Sequence, residues 1–279
     1  MSAWPPKSTS WRKMSHAPVQ LAKPPLPYAF LEFGRALGEM AMLPAAEVPL
    51  NMAPSGDGHS VVVCPGFLTS DTATGLLRRF LRSKGYNVYG WNLGRNLGPG
   101  PEGGKIDLLA DWVVSVFRQS RRKVSLVGWS LGGVMARELA KQMPDTIRQV
   151  ITLGSPITGQ PEASTIAWIY ERVAGPLDAA SPEMQLLLER LHIPPEHVPS
   201  TAIFTKTDGI VPWRGCIEPP REHTDNIEVF ASHCGLGVNP FVFFAIADRL
   251  ALPETEWSPF DRKAAPWRRM AYPTSGHNY

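Results

Sequence analysis

KVSLVGWSLGGVMARELAKQ, residues 123–142, runs an apolar, β-like stretch into a serine between two glycines and then straight into a helical pattern. Gly128-Trp129-Ser130-Leu131-Gly132 has the G-x-S-x-G spacing of a nucleophile elbow, the sharp strand-to-helix turn that holds a serine hydroxyl at the end of a sheet. A serine forced into a strained backbone conformation needs close neighbours without Cβ atoms, and Gly132 with Gly133 let the helix pack on the sheet. The helix N-terminus then aims free N–H groups and a partial positive charge at any oxyanion formed on that serine. The plainer reading, a glycine-rich turn with an ordinary N-cap serine, fits less well between so clear a strand and so clear a helix.

Outward from this corner the same alternation continues. SVVVC (60–64), NVYGW (87–91), QVITLG (149–154), TAIFTK (201–206) and NIEVF (226–230) read as strands. TATGLLRRFLRSKG (72–85), IDLLADWVVSVFRQS (106–120) and NPFVFFAIADRLAL (239–252) read as helices. The rhythm predicts βαβ units: an α/β fold with a mostly parallel central sheet covered by helices on both faces.

The rhythm breaks over 157–200, where PEASTIAWIYERVAG and SPEMQLLLERLH read as helices with no strand between them. This insertion is expected to form a small helical cap over Ser130, with Ile166, Ile169 and Leu187 on its inner apolar face selecting the substrate. Residues 1–27, with six prolines, read as a tail, and 28–279 as one domain. In LPYAFLEFGRALGEMAML (26–43), Phe30, Phe33, Leu37 and Met40 recur at helical spacing while Glu32, Arg35 and Glu39 fall elsewhere. The apolar stripe is expected to pack on the body of the protein rather than on a membrane surface, because the polar face is not basic.

The totals bound the function. The chain has 279 residues, 43% of them apolar and 19% charged, a balance that buries a core. A net charge of +3, with no basic run longer than Arg121-Arg122-Lys123, argues against nucleic acid. No stretch approaches the roughly 18 consecutive apolar residues of a membrane span, and the N-terminus has no secretory apolar core, so a cytoplasmic protein is expected. Cys64, Cys216 and Cys234 lack zinc spacing and read as free thiols, although a Cys216–Cys234 bridge stays open.

A nucleophilic serine needs a base, and the base an orienting acid. In the chain order expected on a sheet of this kind, the acid and then the histidine follow the serine. His192 and His197 lie in the insertion, His223 precedes the last strand and His277 is in the C-terminal tail. His233, in VFASHCGLG (229–237), alone follows directly on the last strand. Asp208, in TAIFTKTDGIVP (201–212), ends the preceding strand; Glu218 and Asp225 are rivals placed in the next loop. In CPGFLTSD (64–71), Gly66 lets the backbone approach, and the N–H of Phe67 is the natural oxyanion donor beside that of Leu131. Trp129 and Trp91 are candidates to line an acyl pocket, with Trp213 and Trp168 as looser ones; for each taken singly the core or rim reading is preferred, with some apolar lining expected.

With VVVCPGF, GWSLGG, TLGSPITG, TKTDGIVP and SHCGLG, the chain resembles the α/β-hydrolase superfamily on its lipase and esterase side over roughly 60–252. The resemblance implies a Ser130–Asp208–His233 triad, a Phe67/Leu131 oxyanion hole, no cofactor or metal, and a small-molecule ester as partner. Many relatives carry His-Gly before the oxyanion donor, where this chain has Pro65-Gly66, which blurs the subclass more than the chemistry. Hydrolysis of a carboxylic ester is the leading expectation. Acyl transfer to an alcohol or amine, phospholipase or lipase action, and a non-catalytic binding role for a degenerate hydrolase fold are the alternatives.

Overall fold

β-Branched residues in short continuous runs favour strands buried on both faces, and six such runs pair here. They are β1 (Ser60–Cys64), β2 (Asn87–Gly90), β3 (Val124–Trp129), β4 (Ile147–Leu153), β5 (Ser200–Phe204) and β6 (Thr224–Glu228). The computed structural model describes residues 21–98, 104–158, 160, 163–167, 169 and 190–277. Among them the strands form one sheet in the order β2-β1-β3-β4-β5-β6, with every neighbouring pair parallel.

The period-2 alternation of side chains divides the core into two layers. Val61 and Val63 of β1 point to one face, where they meet Leu77 and Leu81 of α3 (Gly75–Ser83) and the Phe243–Leu250 stretch of α6 (Pro240–Leu250). Val62 and Cys64 point to the other, against Leu109 and Val113 of α4 (Gly104–Ser120) and Met135 and Leu139 of α5 (Leu131–Gln142). Asn239 caps α6: its side chain accepts from the N–H groups of Phe241 and Val242, and Pro240 opens the helix. The α/β-hydrolase architecture expected from the sequence is thus the one observed, with extra helical turns between β4 and β5 consistent with a cap insertion.

The chain leaves β1 toward one edge of the sheet for β2, and then builds from β3 toward the other. The carboxyl ends of β1 and β3 therefore flank the point where strand order reverses, the place where open α/β sheets form a crevice.

The N-terminal helix departs from expectation. α1 (Leu26–Ala41) is amphipathic as predicted, but it is docked the other way round. Glu32 is 3% exposed, whereas Phe30 is 85% and Phe33 73% exposed. Leu37 and Met40 also face outward. The reason is a set of strong polar contacts: Glu32, Arg35 and Glu39 reach backbone groups at the carboxyl edge of the sheet, and a charged group satisfied there outweighs the burial of a few apolar side chains. Two short helices were not anticipated, α2 (Glu47–Asn51) and α7 (Pro266–Ala271).

Candidate active site

Ser130 stands between β3 and α5 with φ 51° and ψ −122°, a region that costs a non-glycine residue about 1–3 kcal/mol. The neighbourhood holds it there. Its N–H donates to the Leu153 carbonyl at the end of β4 (2.7 Å), and its own carbonyl accepts from Gly133 (2.9 Å). A Cβ on Gly128 would lie 2.3 Å from Gly133 Cα, and one on Gly132 would lie 2.4 Å from the Pro65 carbonyl oxygen. The glycines thus let α5 close onto β3 and onto the loop after β1. Gly66 of that loop is set against the elbow, since a Cβ there would come 3.5 Å from Ser130 Cβ. This brings the backbone of Pro65–Phe67 alongside the start of α5 at Leu131.

His233 follows β6 and opens a 3₁₀ turn, Cys234–Gly237. Its Nδ1 lies 2.7 Å from Asp208 Oδ2 and its Nε2 3.0 Å from Ser130 Oγ. A carboxylate can only accept, so Nδ1–H donates to Asp208; Nε2 of the neutral ring is then free to accept the Ser130 hydroxyl proton. Asp208 Oδ1 accepts from the N–H groups of Ile210 (2.8 Å) and Val211 (2.7 Å), which turns Oδ2 toward the ring. All three side chains are buried or nearly so. Burial pulls the His233 pKa down, but the charge and hydrogen bond of Asp208, joined by the charge of Glu32, outweigh it and leave the ring above its ordinary 6.5. A ring so placed has the geometry to accept a hydroxyl proton at Nε2.

The family pattern described as "Alpha/beta hydrolase family" matches residues 61–279. The chain belongs to this family. No match was found among curated proteins. Solved structures with the same fold include Aspergillus fumigatus lipase B, at 16% identity and TM-score 0.58, covering 77% of this chain and 56% of that one. The chain therefore spans little more than half of that lipase. Bacillus licheniformis lipase BlEst2 in its mature form (14% identity, TM-score 0.51) covers 72% of this chain and 95% of its own. A monoacylglycerol lipase from Paleococcus ferrophilus (17%, 0.51) covers 71% and 96%. At these identities the likeness is one of fold.

The other residues singled out in the sequence of this hydrolase fall in different places. Trp129 is partly buried at the site, and its indole N–H donates to the His233 carbonyl (3.1 Å), so it holds the histidine loop. Trp91 is a correction: it is fully buried in the layer under α4, its indole N–H donating to Gly94, because the end of β2 faces the core there and not the crevice. Trp213 stacks on Phe204, away from the serine's own contacts. Ile166 and Ile169 are half-buried in a segment tied to the loop after Asp208, where Thr165 N–H donates to the Ile210 carbonyl (2.9 Å). Leu187 and Trp168 lie outside the described residues. Glu218 is occupied by Arg137 and Ser200, and Asp225 by the N–H groups of Asn226, Phe260 and Gly276. Cys64, Cys216 and Cys234 are free thiols.

Three groups beside the site escaped the sequence reading. Glu32 accepts from the N–H groups of Gly209 (2.7 Å) and Cys234 (2.8 Å), the residues that directly follow Asp208 and His233. Asn96 is fully buried, and its side chain donates to the Pro65 carbonyl (2.8 Å), clamping the loop that carries Phe67. Gly154 has φ +54°, and a Cβ on it would come 3.1 Å from His233 Nδ1 and 3.3 Å from Asp208 Oδ2. Only Gly154, in TLGSPITG, left a trace in the sequence, as a glycine at a strand end.

Proposed function

We propose that this chain is a serine carboxylic-ester hydrolase with Ser130 as nucleophile, His233 as general base and acid, and Asp208 as the orienting carboxylate. The observation that carries this reading is the hydrogen-bonded row Asp208–His233–Ser130, with the serine strained at a strand-to-helix corner. Ser130 Oγ attacks the ester carbonyl carbon while its proton passes to His233 Nε2. The carbonyl π pair moves to oxygen, and the resulting oxyanion is met by the N–H groups of Phe67 and Leu131, where the N-terminal end of α5 adds partial positive charge. Collapse of the tetrahedral species breaks the bond to the alcohol oxygen, which leaves with the His233 proton. Water, deprotonated by His233, then attacks the acyl-serine, and the proton returns to Ser130 as the acid departs.

A fluorophosphonate probe is expected to label Ser130, and Ser130→Ala is expected to abolish labelling and lower kcat on p-nitrophenyl butyrate by roughly 10³-fold or more while keeping the fold. Near wild-type turnover by purified Ser130→Ala would falsify the assignment. Running the assay with a competing alcohol separates hydrolysis from acyl transfer, since an acyltransferase yields the new ester in place of the acid.

A further inference from the structure

An amphipathic helix with three charged residues would ordinarily hide its apolar stripe and wet its polar one. In α1 the polar side chains are spent inward. Glu32 holds the backbone after Asp208 and His233. Arg35 donates to the Thr207 carbonyl (2.8 Å) and the Ala231 carbonyl (2.5 Å). Glu39 accepts from Ser232 N–H (2.6 Å), Ser232 Oγ–H (2.8 Å) and the Asn239 side-chain amide (2.9 Å). These contacts fix the helix about its own axis, so its apolar face cannot roll onto the protein. Leu26, Phe30, Phe33, Leu37 and Met40 remain outward, on a face of α1 that carries no acidic group, because Glu32 and Glu39 are the only acidic residues of α1 and both are buried. Isolated exposed apolar residues are ordinary; a stripe of five at helical spacing on one helix marks a surface that is covered in use.

The charge of the sequence that leads into this helix narrows what covers it. The sequence before Glu32 contains Lys7, Arg12, Lys13 and Lys23 and not one aspartate or glutamate. A cationic segment joined to a helix with large apolar and aromatic side chains on one side suits a surface that is apolar beneath and anionic above: a bilayer with acidic headgroups. No helix among the described residues is long and apolar enough to cross a membrane, so the contact would be one that lies on the surface.

We propose that α1 docks this protein onto anionic lipid bilayers through Leu26, Phe30, Phe33, Leu37 and Met40. The same helix grips the loops behind Asp208 and His233, so docking places the carboxyl edge of the sheet at the lipid surface. Resting on the proposed ester hydrolysis, this makes an ester carried in the membrane the substrate class.

The test is flotation of the full chain with phosphatidylcholine vesicles containing about one third phosphatidylglycerol, the anionic lipid supplying the electrostatic part of the binding. The protein is expected to float with these vesicles, less with phosphatidylcholine alone and less as salt rises. The double variant Phe30→Ser, Phe33→Ser is expected to lower the bound fraction roughly tenfold or more, with an unchanged melting temperature because both side chains are exposed. Ser130→Ala should float like the wild type. Failure of the wild type to float overturns the proposal, as does equal flotation of the double variant. A wild-type dimer that the double variant converts to monomer overturns it too, by giving the face to a second copy. Flotation without fluorophosphonate labelling of Ser130 keeps the docking and removes the ester from it.

Discussion

Ser130 keeps a backbone conformation that alanine or serine rarely adopts, and the atoms that hold it there also set the geometry of the proposed triad. Gly154 shows how little room is left. With φ +54° and a virtual Cβ 2.7 Å from Leu236 Cδ1 as well as close to His233 and Asp208, Gly154→Ala is expected to push the ring off Ser130. We expect a fall in kcat of roughly 10²-fold with a smaller change in KM, since a small misplacement of a proton-transfer group acts on the chemical step; steady-state kinetics on p-nitrophenyl esters checks this. Asp208→Asn removes the partner that fixes the His233 tautomer, and kcat should drop by about 10⁴-fold. Asp225→Asn should change it by less than about tenfold, because Asp225 serves backbone N–H groups near Phe260 and Gly276. Reversal of that order moves the acid to Asp225. Glu32 acts through charge on His233. The base works only when neutral, and its pKa is raised by Asp208 and Glu32, so activity should be lost as pH falls through that raised value. Glu32→Gln is expected to shift the acid limb of the kcat/KM profile to lower pH, and an unmoved limb would reduce Glu32 to a backbone tie.

At the scale of elements, what was legible followed from period and order. The six strands and the helices flanking them stand out because burial on both faces writes continuous apolar runs, and His233 could be chosen because it alone follows the last strand. α1 was legible as a helix but not in its orientation. Amphipathicity says that two faces differ; which one turns inward was decided by backbone N–H groups of Gly209, Ser232 and Cys234 that only the assembled fold brings together. Trp91 failed for a related reason: a strand end touches both core and crevice, and one position decides between them. The buried pair Arg137–Glu218 was equally hidden. Arg137 Nε and Nη2 donate to Glu218 Oε1 and Oε2 (2.6 and 2.7 Å), Ser200 Oγ–H donates to Oε1, and neither charged side chain is exposed. It ties α5, the helix that starts at the elbow, to the segment after β5, and Arg137 also reaches the Leu191 carbonyl at the end of the insertion. Glu218→Leu strands a buried guanidinium and should cost roughly 3–5 kcal/mol, while Arg137→Met with Glu218→Leu should recover much of that loss. Urea denaturation of both variants is the measurement, and a double variant less stable than the single would refute it.

Across the whole molecule, the sheet carries a second serine–histidine–aspartate row at its opposite end. His59 Nδ1 lies 2.5 Å from Asp57 Oδ1, and Nε2 lies 2.8 Å from Ser125 Oγ, the same partners in the same order as at Ser130. The environments separate the two rows. Ser125 sits inside β3, its backbone paired with Val61 and Gln149 and its side chain fully buried. At Ser130 a helix begins, and the ring there is held above its ordinary pKa. At His59 burial dominates: the ring is pushed down to about 4, further lowered by the charges of Arg148 and Arg122, with Asp57 only partly offsetting them. Burial raises the Asp57 carboxyl, but hydrogen bonds from Arg148 and His59 together outweigh it and hold the group well below its ordinary range. We read this row as a structural clamp that joins the β1 entry to β3 and, through Arg148, to β4. Its cost appears in acid. A histidine whose folded pKa lies below its unfolded 6.5 binds fewer protons folded than unfolded, so its contribution is complete above pH 6.5 and is lost as pH falls toward 4. That loss amounts to roughly 3 kcal/mol across the window, with Asp57 adding to it below pH 4. Urea unfolding at pH 7 and pH 4.5 should therefore show a marked fall in stability, and His59→Gln should be less stable at pH 7 but flatter between the two. A wild-type stability that holds steady over this range, or a His59→Gln slope equal to that of the wild type, would place the acid sensitivity elsewhere.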